Sequence, residues 1–150
     1  MLGGLARWLR ALGYEAVFEH GIEDAALVAR AASEGAILLS SDRPLFDRKP
    51  LRNGEVRGLF VPRHAPVLDQ AFFVLHELHL EVRALRCMSC GGALAPAGRS
   101  AVETEVPEKS LRAFDEFFRC LGCRRVYWRG THFERIEAAR AAIQRRLAMP

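Results

Sequence analysis

Apolar residues recur at the three-to-four-residue spacing of an amphipathic helix in three segments of this 150-residue chain. In the first segment the apolar stripe is formed by Leu2, Leu5, Leu9 and Leu12. Arg7 and Arg10 fall on the polar side of that stripe, and Gly13 is expected to end the helix. The chain therefore opens with a predicted helix over residues 2–12.

The second and third helical patterns cover residues 21–35 and 66–80. The second has an apolar side formed by Leu27, Val28, Ala31 and Ala32, and we expect Gly35 to stop it. The third aligns on one face Leu68, Phe72, Leu75 and His79.

Two apolar runs without alternation, residues 36–40 and 58–62, predict buried strands. A shorter strand is expected at residues 16–18, and the charged segment 43–57 between the two main strands is bounded by proline. Strands that alternate with helices indicate a parallel or mostly parallel sheet covered by helices. Residues 1–84 are thus expected to form an α/β domain.

The four cysteines form two Cys-x-x-Cys pairs, and residues 91–119 separate them. The pairs are Cys87 with Cys90 and Cys120 with Cys123. Glycines beside each pair favour tight turns, and two such turns supply four thiolates for a closed, structural zinc site. Disulfides or uncoordinated thiols are the alternative, which a reducing compartment disfavours.

Residues 85–150 are expected to form a separate zinc module that ends in a basic helix. Its elements are a strand at residues 125–129 and the helix at 131–147, for which Thr131 and Glu134 suggest a capping box. Residues 1–84 carry 10 basic and 11 acidic side chains, whereas residues 85–150 carry 12 and 7. This asymmetry favours a polyanionic partner for the second part.

Half of the positions are hydrophobic, which is typical of a globular protein and excludes a disordered one. No apolar run approaches the ~20 residues that span a bilayer. Arginines interrupt residues 1–12, unlike a signal peptide. We therefore expect a soluble, cytoplasmic protein with no membrane partner.

The order of several motifs resembles that of a known family. They are MLGGLARWLRALGY, EDAALVARAA, ILLSSDRPL, the two Cys-x-x-Cys pairs and VYWRGTHFERI. Together they resemble the PIN-like ribonuclease domain fused to a zinc ribbon, the type also found at the C-terminus of the exonuclease Mut-seven in animals. The resemblance covers nearly the whole chain. It implies an α/β fold with a PIN-like parallel sheet and a Mg²⁺- or Mn²⁺-dependent endoribonuclease that binds single-stranded or structured RNA.

The resemblance also implies which acids are catalytic. Asp24 matches the acid that opens the family's first long helix, and Asp42 matches the acid of its T-R-D motif, here Ser40-Ser41-Asp42. Asp47 is a possible accessory acid. Each principal acid has a structural alternative, because Asp24 suits the first turn of a helix and Asp42 suits a turn before proline.

The sequence departs from the family pattern at its start. The family's first strand and its aspartate would precede residue 1, so the PIN-like domain is expected to be N-terminally incomplete. Gly4 stands where the family usually has a basic residue, and Ser41 replaces an arginine. The alternative hypothesis is therefore a noncatalytic RNA- or protein-binding module with a degenerate site.

Five arginines are candidates for RNA binding: Arg7, Arg10, Arg124, Arg125 and Arg129. The first two lie near the expected acids. The other three flank Tyr127 and Trp128, and interleaved arginines and aromatic rings can hold a single strand by ion pairing and stacking. Solvated charges and core aromatics are the alternatives.

Overall fold

The computed structural model describes residues 2–149, which contain six α-helices, two short 3-10 helices and five strands. The α-helices are α1 (Gly3–Ala11), α2 (Asp24–Glu34), α3 (Lys49–Arg52), α4 (Val67–Glu77), α5 (Glu108–Ala113) and α6 (Thr131–Leu147). The strands are β1 (Leu38–Ser40), β2 (Gly58–Phe60), β3 (Leu94–Ala97), β4 (Phe117–Cys120) and β5 (Val126–Trp128). Across this range, every helix falls short of the length and apolarity that crossing a membrane would require.

The strands form two separate sheets. β1 and β2 are parallel, with Leu39 opposite Leu59, and β3, β4 and β5 form an antiparallel sheet in that order. The predicted mixed α/β architecture is thus confirmed at this level. The chain needs a crossover between β1 and β2, and the 3-10 helix Pro44–Asp47 and α3 provide it.

Helices α1, α4 and α6 enclose the largest apolar cluster. Its buried members are Leu5, Leu9, Leu12, Val61, Ala71, Val74, Leu75 and Ile143. Arg140 of α6 donates to the backbone carbonyl of Arg83 at 2.9 Å and also to that of Ala11. The final helix therefore packs on the core of residues 1–84, although the sequence pattern assigned it to the second module. The division at residue 84 itself stays a prediction.

Two smaller clusters complete the interior. One fixes α2 against the parallel strands through Val28, Ala31, Leu38, Leu45 and Val56. The other covers one face of the antiparallel sheet through Val102, Val106 and Phe117.

The strand predicted at residues 16–18 is wrong, because this part of the described chain has no regular secondary structure. The backbone instead follows α1: the carbonyl of Ala16 accepts a hydrogen bond from Arg10 Nε at 2.7 Å. The ring of Phe18 lies against Gly3, where an added Cβ would come within 3.1 Å of it. Contacts with the nearby helix α1, rather than strand pairing, hold this segment.

Three details of the helices differ from the sequence pattern. The charged segment 43–57 contains two short helices, and proline stands in the first turn of each. The missing N–H of proline costs no helical hydrogen bond at that position. His79 lies beyond α4 with a φ of 52° and does not share its apolar face. The capping box is also wrong: Gly130 is the N-cap of α6, and no side chain caps that end.

Candidate metal centre and candidate active site

The four cysteine thiols converge at one end of the antiparallel sheet, where the central strand β4 ends at Cys120. All four Sγ atoms lie within 4.8 Å of one another, with Cys87 and Cys123 at 3.7 Å and Cys90 and Cys120 at 3.4 Å. Four sulfurs at about 2.3 Å from a zinc ion stand about 3.8 Å apart in a tetrahedron. The donor set and its spacing therefore fit a structural zinc ion.

The two Cys-x-x-Cys turns repeat the same backbone geometry. Gly91 N–H donates to the Cys87 carbonyl at 2.7 Å, and Arg124 N–H donates to the Cys120 carbonyl at 3.1 Å. Gly91 and Arg124 both have positive φ, 83° and 65°. Next to the first turn, a Cβ on Gly92 would lie 2.7 Å from Cys120 Sγ, so that position requires glycine.

Hydrogen bonds to sulfur favour thiolates in this cluster. The backbone N–H of Gly92 lies 3.3 Å from Cys90 Sγ and lowers the pKa of that thiol to about 6. The hydroxyl of Tyr127 lies 3.0 Å from Cys87 Sγ. Burial and that sulfur raise the pKa of Tyr127 well above its usual range, so the phenol stays protonated and can donate to the sulfur.

Repulsion among the sulfurs limits how many are charged at once. The N–H of Arg125 favours the Cys123 thiolate, but burial and the three neighbouring thiols outweigh it and raise the pKa to about 11. A divalent cation that binds the four sulfurs therefore has to displace protons, which makes metal affinity pH-dependent.

Arg124 gives a prediction about the second turn. Glycine adopts positive φ without the clash that a side chain meets, so Arg124→Gly is expected to raise the free energy of unfolding of the zinc-loaded protein by about 0.5–1 kcal/mol. The matched control is Arg125→Gly, one residue on and without positive φ, which should lower it by a similar amount. Denaturant titration at fixed zinc concentration measures both. Changes of the same sign in the two variants would contradict this account of the turn.

Arg10 has a structural position that the helical pattern did not predict. Its side chain is buried, and Nη1 donates to the carbonyls of Met88 and Ser89 at 3.1 and 2.8 Å. The expectation that Arg10 lies on an exposed polar face is therefore wrong. Its guanidinium attaches the first cysteine turn to α1, and its Nε and Nη1 both donate to backbone carbonyls.

The other candidate RNA-binding arginines are exposed. Arg7 lies on α1, and Arg124 and Arg125 follow the second cysteine turn. Arg129 is paired with Glu116 at 2.7 Å, and its guanidinium lies 5.3 Å from the centre of the Phe133 ring. Trp128 packs against the third apolar cluster, which supports its alternative role in the core.

The predicted catalytic acids lie on two different elements. Asp24 is the first residue of α2, and Asp42 stands exposed two residues beyond β1. Because α2 packs on β1 and only residues 35–37 connect them, the helix runs back along the strand, and its first turn lies toward the strand's carboxyl end. Both acids thus belong to the same end of the parallel pair.

The surroundings of these acids contain few fixed partners. Asp24 pairs with Arg48 at 3.3 Å, and Asp42 N–H donates to Ser40 Oγ at 3.0 Å. Asp47 is exposed at the end of its 3-10 helix. Between residues 2 and 149, the cysteine cluster is the one group of three or more His, Cys, Asp or Glu side chains close enough to share an ion. The catalytic roles of the three aspartates stay predictions.

A hollow of about 400 Å³ opens beside Asp42, at the carboxyl ends of both parallel strands. It is lined by Ser41, Arg43, Phe60, Pro62, Arg63 and His64. Open α/β sheets commonly bind ligands at this end. The sequence analysis did not identify these residues as a binding site, although all six lie within three residues of the end of a predicted strand.

Together, these features define a mixed α/β protein with a four-cysteine cluster suited to zinc. The chain belongs to the Mut7-C RNAse domain family, whose model matches residues 1–140. This match confirms the family that the motif order indicated, and it suggests a ribonuclease-like function with RNA as substrate or partner. No curated protein and no solved structure matches the chain.

Proposed function

We propose that this protein is a metal-dependent endoribonuclease of PIN-like type that hydrolyses RNA phosphodiester bonds in the cytoplasm. One observation supports the proposal beyond the family: α2 runs back along β1, so Asp24 and Asp42 belong to the same end of the parallel strands, and a hollow lined by Arg43, Arg63 and His64 opens beside Asp42. Carboxylates that can hold a divalent ion, beside arginines that can bind phosphate, suit phosphodiester hydrolysis.

Asp24 and Asp42 would hold the catalytic ion. A bound Mg²⁺ or Mn²⁺ supplies a nucleophilic water and neutralises charge on the phosphate. Two carboxylates fit such an ion because Mg²⁺ keeps several of its waters and takes few protein ligands. Asp47 is the proposed accessory acid.

The zinc module would position RNA rather than cleave it. Four cysteine ligands close the coordination sphere of zinc and make that site structural. Arg124 and Arg125 extend from the second cysteine turn, where they could contact phosphates. Arg7 on α1 and Arg129 on the antiparallel sheet would contribute further contacts.

The test is cleavage of single-stranded and structured RNA by the full chain with added Mg²⁺ or Mn²⁺. Internal cleavage that depends on the added ion is the expected result. Cleavage that is equally fast without Mg²⁺ or Mn²⁺ would refute the proposed mechanism.

A noncatalytic RNA-binding module is the second candidate. One observation favours it. Among the described residues, no three acidic side chains lie close enough together to share a metal ion. RNA binding by the parent chain with no cleavage under any metal condition would select this candidate.

A further inference from the structure

The hollow beside Asp42 is lined by two arginines, Arg43 and Arg63, that form no ion pair with an acidic side chain of residues 2–149. Arg43 and Arg63 approach it from the ends of the two parallel strands, with His64 next to Arg63. All ion pairs between residues 2 and 149 involve other side chains. Two guanidinium groups in one hollow favour an anionic ligand.

Aromatic contacts hold Arg43 in place. Its guanidinium carbon lies 4.6 Å from the centre of the Phe60 ring, within the range of a cation–π interaction. Phe60 in turn packs edge-to-face against Phe46, with ring centres 6.2 Å apart. The cation is therefore oriented before any ligand arrives.

A buried side chain fixes the loop that carries Arg63 and His64. Gln70 of α4 is 7% exposed, and its Nε2 lies 3.1, 3.3 and 3.1 Å from the carbonyls of Pro62, Arg63 and Ala65. A loop held in this way loses little conformational freedom when a ligand binds. Arg63 thus faces the hollow from a rigid backbone.

We propose that this hollow is an RNA subsite in which Arg43 and Arg63 bind a backbone phosphate adjacent to the position of Asp42. That the ligand is RNA rests on the proposed function. A volume of about 400 Å³ suits one nucleotide unit, and Phe60 and Pro62 provide apolar surface for its sugar or base. The subsite would set the register of the strand relative to the two aspartates.

The experiment measures binding of a fluorescently labelled single-stranded RNA oligonucleotide by anisotropy, over a range of salt concentrations and without added Mg²⁺ or Mn²⁺. The double variant Arg43→Gln/Arg63→Gln is expected to bind at least about tenfold more weakly at low salt. The slope of log affinity against log salt should fall by about 0.7 for each arginine removed. Arg43→Lys/Arg63→Lys, which keeps the charge, should retain most of that slope.

Arg57→Gln is the matched control. Arg57 is exposed, precedes β2 at its amino end and, like the two hollow arginines, has no acidic partner among the ion pairs of residues 2–149. It removes one positive charge, as each of the two hollow substitutions does, but at the opposite end of the sheet, so binding should stay near that of the parent. Equal RNA affinity and salt slope in the double variant and in Arg57→Gln would overturn the subsite.

Two further results separate this inference from the proposed function. If no variant or parent cleaves RNA but the double variant still binds weakly, the nuclease proposal fails and the subsite stands. If the parent cleaves and the double variant binds and cleaves like Arg57→Gln, the subsite fails alone. Displacement of RNA by adenosine monophosphate at equal phosphate concentration would identify a free nucleotide as the ligand and overturn the RNA assignment.

Discussion

Replacing Cys90 with serine is expected to release zinc and unfold the antiparallel sheet with its two cysteine turns. Serine is a poor zinc ligand, and structural zinc sites bind with apparent free energies of roughly 10–16 kcal/mol, comparable to the entire stability of a domain. Metal analysis should find one zinc per chain in the parent and a large loss in the variant. Circular dichroism and thermal unfolding would report the loss of structure.

The control for this variant lies in the same turn. Ser89→Ala changes an exposed side chain next to Cys90 and leaves the carbonyl that Arg10 binds, so it should keep its zinc and its stability. A metal-free parent that remains fully folded would contradict the zinc account. So would a Cys90→Ser protein with unchanged unfolding.

Asp42→Asn is expected to reduce metal-dependent RNA cleavage by at least about 100-fold. Even groups that only support a metal ligand cost 10- to 100-fold in affinity or activity when changed, and the loss of a direct ligand costs more. An amide keeps the size of the side chain but removes the charge that holds a divalent ion. Single-turnover cleavage across a Mn²⁺ titration would measure both the rate and the metal requirement.

Asp24→Asn should have a similar effect, and Glu34→Gln provides its control. Asp24 and Glu34 sit at opposite ends of α2, each pairs with an arginine, and both side chains are 46% exposed. The two substitutions therefore remove equivalent surface ion pairs, worth about 0–1 kcal/mol. Parental cleavage rates in both Asp24→Asn and Asp42→Asn would show that the site has been assigned to the wrong residues.

Features encoded by neighbouring residues were predictable. The Cys-x-x-Cys spacing predicted that the four thiols would come together, and the neighbouring glycines predicted the tight turns. Helices α1, α2 and α4 and strands β1 and β2 followed from apolar periodicity and run length.

Features that depend on tertiary contacts were not predictable. The helical pattern places Arg10 on the polar side of α1. Its side chain is nevertheless buried, and it donates hydrogen bonds to carbonyls 78 and 79 residues away. Residues 16–18 resemble a strand locally but lie along α1 instead. The hollow needed the parallel pairing of β1 and β2, which brings Arg43 and Arg63 together from separate segments.

Because Ile143 belongs to the first apolar cluster, that cluster cannot be completed until Ile143 has been synthesised. The cluster that buries Leu5 and Leu9 includes a side chain, Ile143, that is translated more than 130 residues after them. Arg140 likewise completes its hydrogen bond to Ala11 across 129 residues. Such long-range closure slows folding, because the entropy of a large loop is lost before the contact forms. The nascent chain therefore exposes this apolar surface while the intervening residues are translated, an interval in which chaperones act on unfinished domains.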